Sequence, residues 1–329
     1  MGAGIAGLSA ARTLVSAGLR PRLLDKGRRP GGRCASRHFG QGLVDFGPVF
    51  GHTADSELFD LAQSAGGAGF LPSWPTTVGG LGEPCQRDSL SGQQRRFAFA
   101  GGMNLLPALL AKDLDVACET QVTALRDHGE RWIVETTSAA FETDVLLLCL
   151  PPAQSQALLS PLRTGPVPSF VALLDLVTLV PCLTLSVELD TNVPLPTPLT
   201  HPQSLVVQLL SDESSKRPSG DSRLLTIQAR AGWSAANLEV DPAVWSKALI
   251  EAAMPHCPAL AMGVRSTRPH RWRWSRLAGP GLDRPVVGCT ASGARFGLAG
   301  DAFDRLGGIE GAWRAGRALA RRFLEVTST

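Results

Sequence analysis

Six residues at the start of the chain have the types and spacing to hold a dinucleotide: Gly2-Ala3-Gly4-Ile5-Ala6-Gly7, with Asp25 eighteen positions after Gly7. In such a G-x-G-x-x-G turn the first glycine permits a tight bend. The second lets backbone approach a pyrophosphate, and the third lets a helix pack close to a sheet. The helix that begins there offers unpaired N–H groups and a positive dipole end to phosphates. An acid ending the next strand can accept hydrogen bonds from an adenosine ribose. This is the chemistry of holding a cofactor, with the reactive chemistry left to the cofactor.

Side chains for nucleophilic or metal chemistry form no such pattern. The histidines (38, 52, 128, 201, 256 and 270) are scattered, and neither a catalytic triad nor metal-ligand spacing is visible. His52 stands out because it follows Phe46-Gly47-Pro48-Val49-Phe50-Gly51, and His270 because it opens His270-Arg271-Trp272-Arg273-Trp274-Ser275. On a strand, His270, Trp272 and Trp274 share one face and Arg271 and Arg273 the other. Phe50, His52, His270, Trp272 and Trp274 are the substrate-pocket candidates. Core packing is the competing role, and for at least one tryptophan the better one.

Composition bounds the answer. A chain of 329 residues, 44% hydrophobic and 19% charged, can bury a sizeable core in about two domains. The net charge is +3, only residues 26, 112, 216 and 247 are lysines, and the charges are interspersed, which excludes a nucleic-acid footprint. Seven cysteines without a C-x-x-C pair read as reduced thiols of a cytoplasmic protein, with no zinc site. With the fingerprint at residue 2, no signal peptide is expected. The most apolar stretch, 170–187, contains Asp175 and Pro181 and reads as two core strands, not a membrane span.

The elements that must position these residues follow from periodicity. Ile5, Leu8, Ala11, Leu14 and Val15 recur at helical spacing up to Gly18, and 20–25 reads as a strand ending on Asp25. Helices are predicted over 56–65 and 103–112. Strands are predicted over 116–125 and 132–136, with 66–94 read as loops or a hairpin. The apolar run 144–150 suits a buried parallel strand. From 153 to 280, short strands (170–174, 182–189, 205–210, 224–229) and a helix near 242–254 suggest an antiparallel sheet with a covering helix. Residues 210–221 read as a mobile polar loop. A strand at 296–301 and a helix from about 307 to 325 return the chain to α/β character.

Four motifs carry a family resemblance: Gly2-Ala-Gly-Ile-Ala-Gly7; Asp25 with Gly31-Gly32-Arg33; Asp45-Phe46-Gly47; and Gly300-Asp301 with Gly307-Gly308-Ile309-Glu310-Gly311-Ala312. The chain resembles the FAD-dependent amine oxidase superfamily, most closely its renalase-like branch. The resemblance implies an α/β fold. A discontinuous Rossmann-type FAD-binding domain would comprise 1–55, 95–152 and 281–329, and a second, α+β substrate domain on an antiparallel sheet would comprise 56–94 and 153–280. It implies non-covalent FAD with its pyrophosphate at Gly2, Gly4, Ile5, Ala6 and Gly7. Asp25 and Lys26 would lie at the ribose, Gly32 and Arg33 near the pyrophosphate, and Val122 at the adenine. Asp301 would bind the ribityl hydroxyls or a phosphate-linked water, and the backbone of Gly308, Ile309, Glu310, Gly311 and Ala312 would meet the flavin edge. A bulky acid at Gly311 is expected to collide with the ring.

Two departures from the pattern matter. The chain has no tyrosine, and only Met1 precedes the first glycine, so the first strand is missing. Two rows of backbone groups would then be unpaired, and a start about five to ten residues upstream is expected on strand-length grounds.

With one fingerprint and no redox cysteine pair, electrons are expected from a small-molecule substrate by hydride transfer to flavin N5, with molecular oxygen as acceptor. Three readings are open. The first is an oxidase of isomeric dihydronicotinamide nucleotides. The second is an amine oxidase or desaturase, favoured by an aromatic pocket without arginine at its mouth. The third is a relative that has lost FAD.

Overall fold

The computed structural model describes residues 1–80, 94–162, 165–190, 195–217 and 221–327. The chain divides into two compact units. The first comprises Met1–Gly32, Pro107–Leu179 and Arg276–Thr329, and the second Arg33–Leu106 and Val180–Ser275.

In the first unit, Arg22–Leu24 pairs in parallel with Asp115–Ala117. Val145–Leu148 pairs in parallel with Arg295–Leu298, which pairs antiparallel with Val286–Cys289. Met1 and Gly2 bridge these two groups. Met1 N donates to Leu147 O at 2.5 Å, Cys149 N donates to Met1 O at 2.9 Å, and Gly2 N donates to Leu24 O at 2.8 Å. At this level the two rows expected to be unpaired are therefore joined by two residues.

The chain then enters the helix Ile5–Ser16, whose Ile5, Leu8, Ala11 and Leu14 are buried. The last helix, Gly308–Thr327, lies against it: Ser9 Oγ donates to the Trp313 carbonyl at 2.7 Å. A Cβ at Gly316 would sit 2.1 Å from the Ala6 carbonyl, so only glycine allows this approach. Beneath lies a core that includes Trp132, Leu148, Phe296, Leu298 and Leu319, with the Trp132 indole donating to the Arg295 carbonyl at 2.7 Å.

Two predicted strands of this unit are corrected. The segment 116–125 breaks at Glu119, which adopts a positive φ of 53°. Asp115–Ala117 joins the parallel pair, whereas Val122–His128 opens an antiparallel sheet with Arg131–Thr136 and Ala140–Thr143. The segment 170–174 is helical, within Val167–Leu174. Pro166 and Pro168 flank its first residue, where proline suits a helix start, and Val167 and Leu174 bury one stripe seven residues apart.

The second unit is built on a six-stranded sheet in the order Val264–Leu277, Leu179–Leu189, Arg223–Ala229, Val207–Asp212, Leu199–Thr200, Val78–Gly79. Arg223–Ala229 pairs antiparallel with Leu179–Leu189 and Val207–Asp212, Val207–Asp212 pairs antiparallel with Leu199–Thr200, and Leu199–Thr200 pairs in parallel with Val78–Gly79. The helix Pro242–Ala253 starts at Asp241, whose carboxylate accepts from Ala243 N, and packs Trp245, Leu249 and Ala253 into a core with Leu183, Leu185, Val187 and Ile227.

The segment 210–221 is also corrected over its described part: Ser211, Asp212, Glu213, Lys216 and Arg217 are buried, because their charges are paired. Part of the predicted loop 66–94 lies outside the described residues, as does Cys85; among the described residues Cys34, Cys118, Cys149, Cys182, Cys257 and Cys289 form no disulfide. Among the described residues no helix is long and apolar enough to cross a membrane.

Candidate active site

The glycine turn is held by backbone contacts. Gly2 adopts φ 86°, and a Cβ at Gly7 would sit 1.9 Å from the Gly2 carbonyl, so the turn and the helix can close only with glycine at residue 7. Asp25 fastens the turn: its Oδ2 accepts from Ala3 N at 2.6 Å and its Oδ1 from Gly27 N at 2.7 Å. The second glycine segment closes from the other side. Gly31 N donates to Ala3 O at 2.7 Å, and a Cβ at Gly32 would be 3.3 Å from Gly4 Cα. A Cβ at Gly4, by contrast, would meet nothing within 4 Å, and Gly4 caps the helix without a side-chain hydrogen bond.

The result is a cradle. The first-turn N–H groups of the helix, which have no intrahelical partner, open past Gly4, with Ile5 and Ala6 buried behind them. A phosphate group matches such a donor set. Lys26 is exposed, and Val122 is half-buried at the start of its strand. Arg33 falls in the second unit, where its Nη1 donates to the Ser275 carbonyl at 2.9 Å.

A second loop of the first unit leads from Arg295–Leu298 into the last helix. Gly300 is in the left-handed half of the map at φ 156°, Asp301 is buried, and Gly307 and Gly308 have φ 66° and 68°. A Cβ at Gly308 would meet nothing within 4 Å, whereas one at Gly311 would meet the Asp304 side chain at 3.0 Å. The open position at this helix start is therefore Gly308, and a bulky residue at Gly311 collides first with Asp304. Ile309 is half-buried and Ala312 buried. Glu310 is buried and accepts from Arg314 Nη1 at 2.8 Å, and Arg314 also clasps Asp304.

In the second unit the strand Val264–Leu277 sets His270 and Trp272 on one face, as alternation predicts, with ring centroids 4.3 Å apart. Both meet Phe46: His270 edge-on at 4.8 Å and Trp272 stacked at 5.6 Å, with the Trp272 indole donating to the Phe46 carbonyl at 2.7 Å. The Arg37 guanidinium lies over Phe46, 4.1 Å from its centroid. Burial, then the charges of Arg37 and Arg268, push the His270 imidazole down to about 4, so it is neutral at pH 7. On the opposite face Arg273 pairs with Glu239 and Arg271 donates to the Val240 carbonyl.

Phe50 and His52 form a separate group. Phe50 is buried, 6.2 Å from both the His52 and Trp74 rings, and His52 Nδ1 contacts Gln94 Oε1. Trp274 is half-buried.

Sequence reasoning missed Arg37 and a buried ionic cluster behind the wall. Lys216 Nζ donates to Asp45 Oδ2 at 2.9 Å, Glu213 Oε1 at 2.9 Å and the Val49 carbonyl at 2.7 Å, while Arg217 Nη2 donates to Asp45 Oδ2 at 2.8 Å. Burial opposes charge on Asp45, but Lys216, Arg217, Ser36 Oγ and Met103 N–H outweigh it and hold the carboxyl well below the usual range. Glu213 goes the other way: burial raises it, and the Asp45 charge adds to that against the pull of Lys216. The available signal was spacing, since Glu213, Lys216 and Arg217 are i, i+3 and i, i+4 pairs in a segment read as loop.

With this geometry in view, the family models agree. Residues 1–65 match a NAD(P)-binding Rossmann-like domain, and residues 81–324 match the flavin-containing amine oxidoreductase model. Among solved structures, cyclohexylamine oxidase from Brevibacterium oxydans IH-35A is similar at TM-score 0.74 and 14% identity, covering 100% of this chain and 98% of its own. A triple mutant from a redesign of cofactor binding in putrescine oxidase gives 0.66 and 14%, covering 99% and 98%. Those identities speak for the fold alone; the family match covers most of the chain, which therefore belongs to the flavin-containing amine oxidoreductase family and is an FAD-dependent oxidoreductase.

Proposed function

We propose that this enzyme oxidises a small, anionic, ring-bearing reduced substrate, of which an isomeric (2- or 6-) dihydronicotinamide nucleotide is the leading candidate, with molecular oxygen as electron acceptor. In this reading the first unit carries FAD and the second recognises substrate. The residues fit the cofactor: the space left at Gly4, the uncapped helix start and the glycine at 308 are places where a side chain or cap would exclude it. Gly2 and Gly7 let the turn close, and the backbone N–H groups at Gly4 and the first helical turn receive the pyrophosphate. Asp25, already holding the turn, retains lone pairs for a ribose hydroxyl. When bound, FAD supplies a two-electron acceptor.

The observation that carries the substrate reading is the wall of Phe46, His270 and Trp272 with Arg37 laid on it. Aromatic faces orient a planar ring and exclude water around it. The neutral imidazole adds a polar edge without charge. Alkyl amines are protonated near pH 7, and two nearby arginine charges repel a cation. Among the described residues no carboxylate contacts this wall to receive an amine, the substrate of the second reading.

The test is anaerobic mixing of FAD-loaded protein with the 2-, 4- and 6-dihydro forms of the nicotinamide nucleotide, and separately with cyclohexylamine, while flavin absorbance is followed. Rapid bleaching by a 2- or 6-dihydro form supports the reading. Bleaching by the amine alone overturns it.

A further inference from the structure

Arg37 is a half-buried arginine of the second unit. Arg217 and Arg223 meet carboxylates, at Asp45 and Asp212. Arg37 meets none. Among the described residues it donates only from Nη2, to Ser186 Oγ at 3.4 Å and to the Arg268 carbonyl at 3.3 Å, both long for a guanidinium. Its Nε is buried without a hydrogen-bond partner.

The acid two residues along the same strand, Glu188, is taken by Ser222 Oγ at 2.9 Å, Ser266 Oγ at 2.8 Å and Arg265 at 3.8 Å. The second cation, Arg268, is exposed beside Arg37. Burial, then Arg268, pull the Arg37 guanidinium down to about 10, and the same two arginines act against charge on His270. A half-buried guanidinium held against a second cation, with donors unspent, is costly in isolation and is relieved by an anion.

We infer that Arg37, backed by Arg268, binds an oxyanion, a carboxylate or a phosphate carried by the substrate, at the edge of the Phe46–Trp272 wall. Phe46 fixes the plane of the guanidinium by stacking, and Ser186 and the Arg268 carbonyl anchor Nη2, leaving Nη1 to donate. A planar, pre-oriented fork loses little freedom on binding a carboxylate or phosphate. The inference deepens the proposed function and rests on its assignment of this wall to the substrate.

Titrate FAD-loaded protein with benzoate, phenyl phosphate and the neutral isostere benzamide, reading tryptophan fluorescence. Benzoate or phenyl phosphate should bind about tenfold or more tightly than benzamide, and the tighter of the two identifies the group. Arg37→Gln should erase that preference, Arg37→Lys should keep part of it, and Arg268→Gln, at an exposed position, should weaken it a few-fold. Equal binding of all three probes, or an undiminished preference in a folded Arg37→Gln protein, overturns the site. Should Arg37→Gln not fold, an undiminished preference in Arg268→Gln does so. Adding the bound oxyanion to the anaerobic bleaching assay separates this inference from the reading beneath it. Oxyanion binding lost in Arg37→Gln while bleaching is unslowed keeps the site and removes the wall from the substrate path. Bleaching by a dihydronicotinamide with no oxyanion preference keeps the proposed function and removes the site.

Discussion

The glycine turn and the ionic cluster hold charge in opposite ways. The turn is made of backbone: Gly2, Gly4 and Gly7 within six residues, fastened by one carboxylate to Ala3 and Gly27. Gly7 lacks a side chain by necessity, and the first helical turn leaves N–H groups without intrahelical partners. The cluster is made of side chains from distant segments, Asp45 against Lys216 and Arg217, each turned inward and paired. A backbone site leaves its donors for a ligand. A side-chain cluster uses its donors up on itself and contributes shape and rigidity. Arg37 stands between the two, a side chain from a distant segment with donors left over.

The largest effect should come from breaking the cluster. Lys216→Met leaves Asp45 and Glu213 buried with one cation between them, and removing one partner of a buried pair costs about 3–5 kcal/mol. Denaturant unfolding should show that loss, whereas Arg131→Ala, which removes exposed pairs to Glu142 and Asp144, should cost under about 1 kcal/mol. Similar losses at the two positions would show that burial does not set the value of the pair.

Next is the turn itself. Gly7→Ala places a methyl group 1.9 Å from the Gly2 carbonyl, and relieving it should cost about 1–3 kcal/mol and strip FAD during purification. A flavin-replete, equally stable Gly7→Ala protein would mean that the turn is not packed this tightly.

The wall supplies a pH test. His270 titrates at about 4 in the folded chain and near 6.5 unfolded, so the unfolded state binds the proton first. Its contribution is present above about pH 6.5 and is lost as pH falls toward 4. After allowance for partial solvent screening this amounts to about 1–3 kcal/mol. Melting curves of wild type and His270→Gln across that window should converge at low pH, and parallel curves would refute the neutral imidazole.

The smallest stability effect sharpens the contrast most. Gly4→Ala meets no protein atom and lies at φ −78°, so the apoprotein should be unchanged to within about 0.5 kcal/mol while FAD affinity falls. An unaltered FAD affinity would place the cofactor elsewhere.

Several elements were legible because their signal is local. The helix Ile5–Ser16 follows from apolar spacing, Arg131–Thr136 from alternation, and Val145–Leu148 from a continuous apolar run of the kind parallel strands bury. Where two local signals compete, apolarity alone misleads. Residues 170–174 are apolar enough for a strand, but the two prolines ahead of them favour a helix start. The mixed charges of 210–217 read as solvated because polarity along the chain does not reveal a partner such as Asp45, 171 residues away from Lys216.

By itself the sequence determined the glycine turn, since three glycines and an acid at fixed spacing define a backbone shape with few alternatives. It also determined the pairing of His270 with Trp272 on one strand face, which period two imposes. Only the tertiary structure decided that Met1 and Gly2 hydrogen-bond to Leu147, Cys149 and Leu24, and that Gly311 faces Asp304 while Gly308 faces open space. It alone decided, too, that Arg37 rests on Phe46. The reason is physical. Spacing fixes what neighbours in sequence can do, whereas burial and pairing depend on which distant atoms arrive within a few ångströms, and a charge is solvated, neutralised or left for a ligand according to that arrival alone.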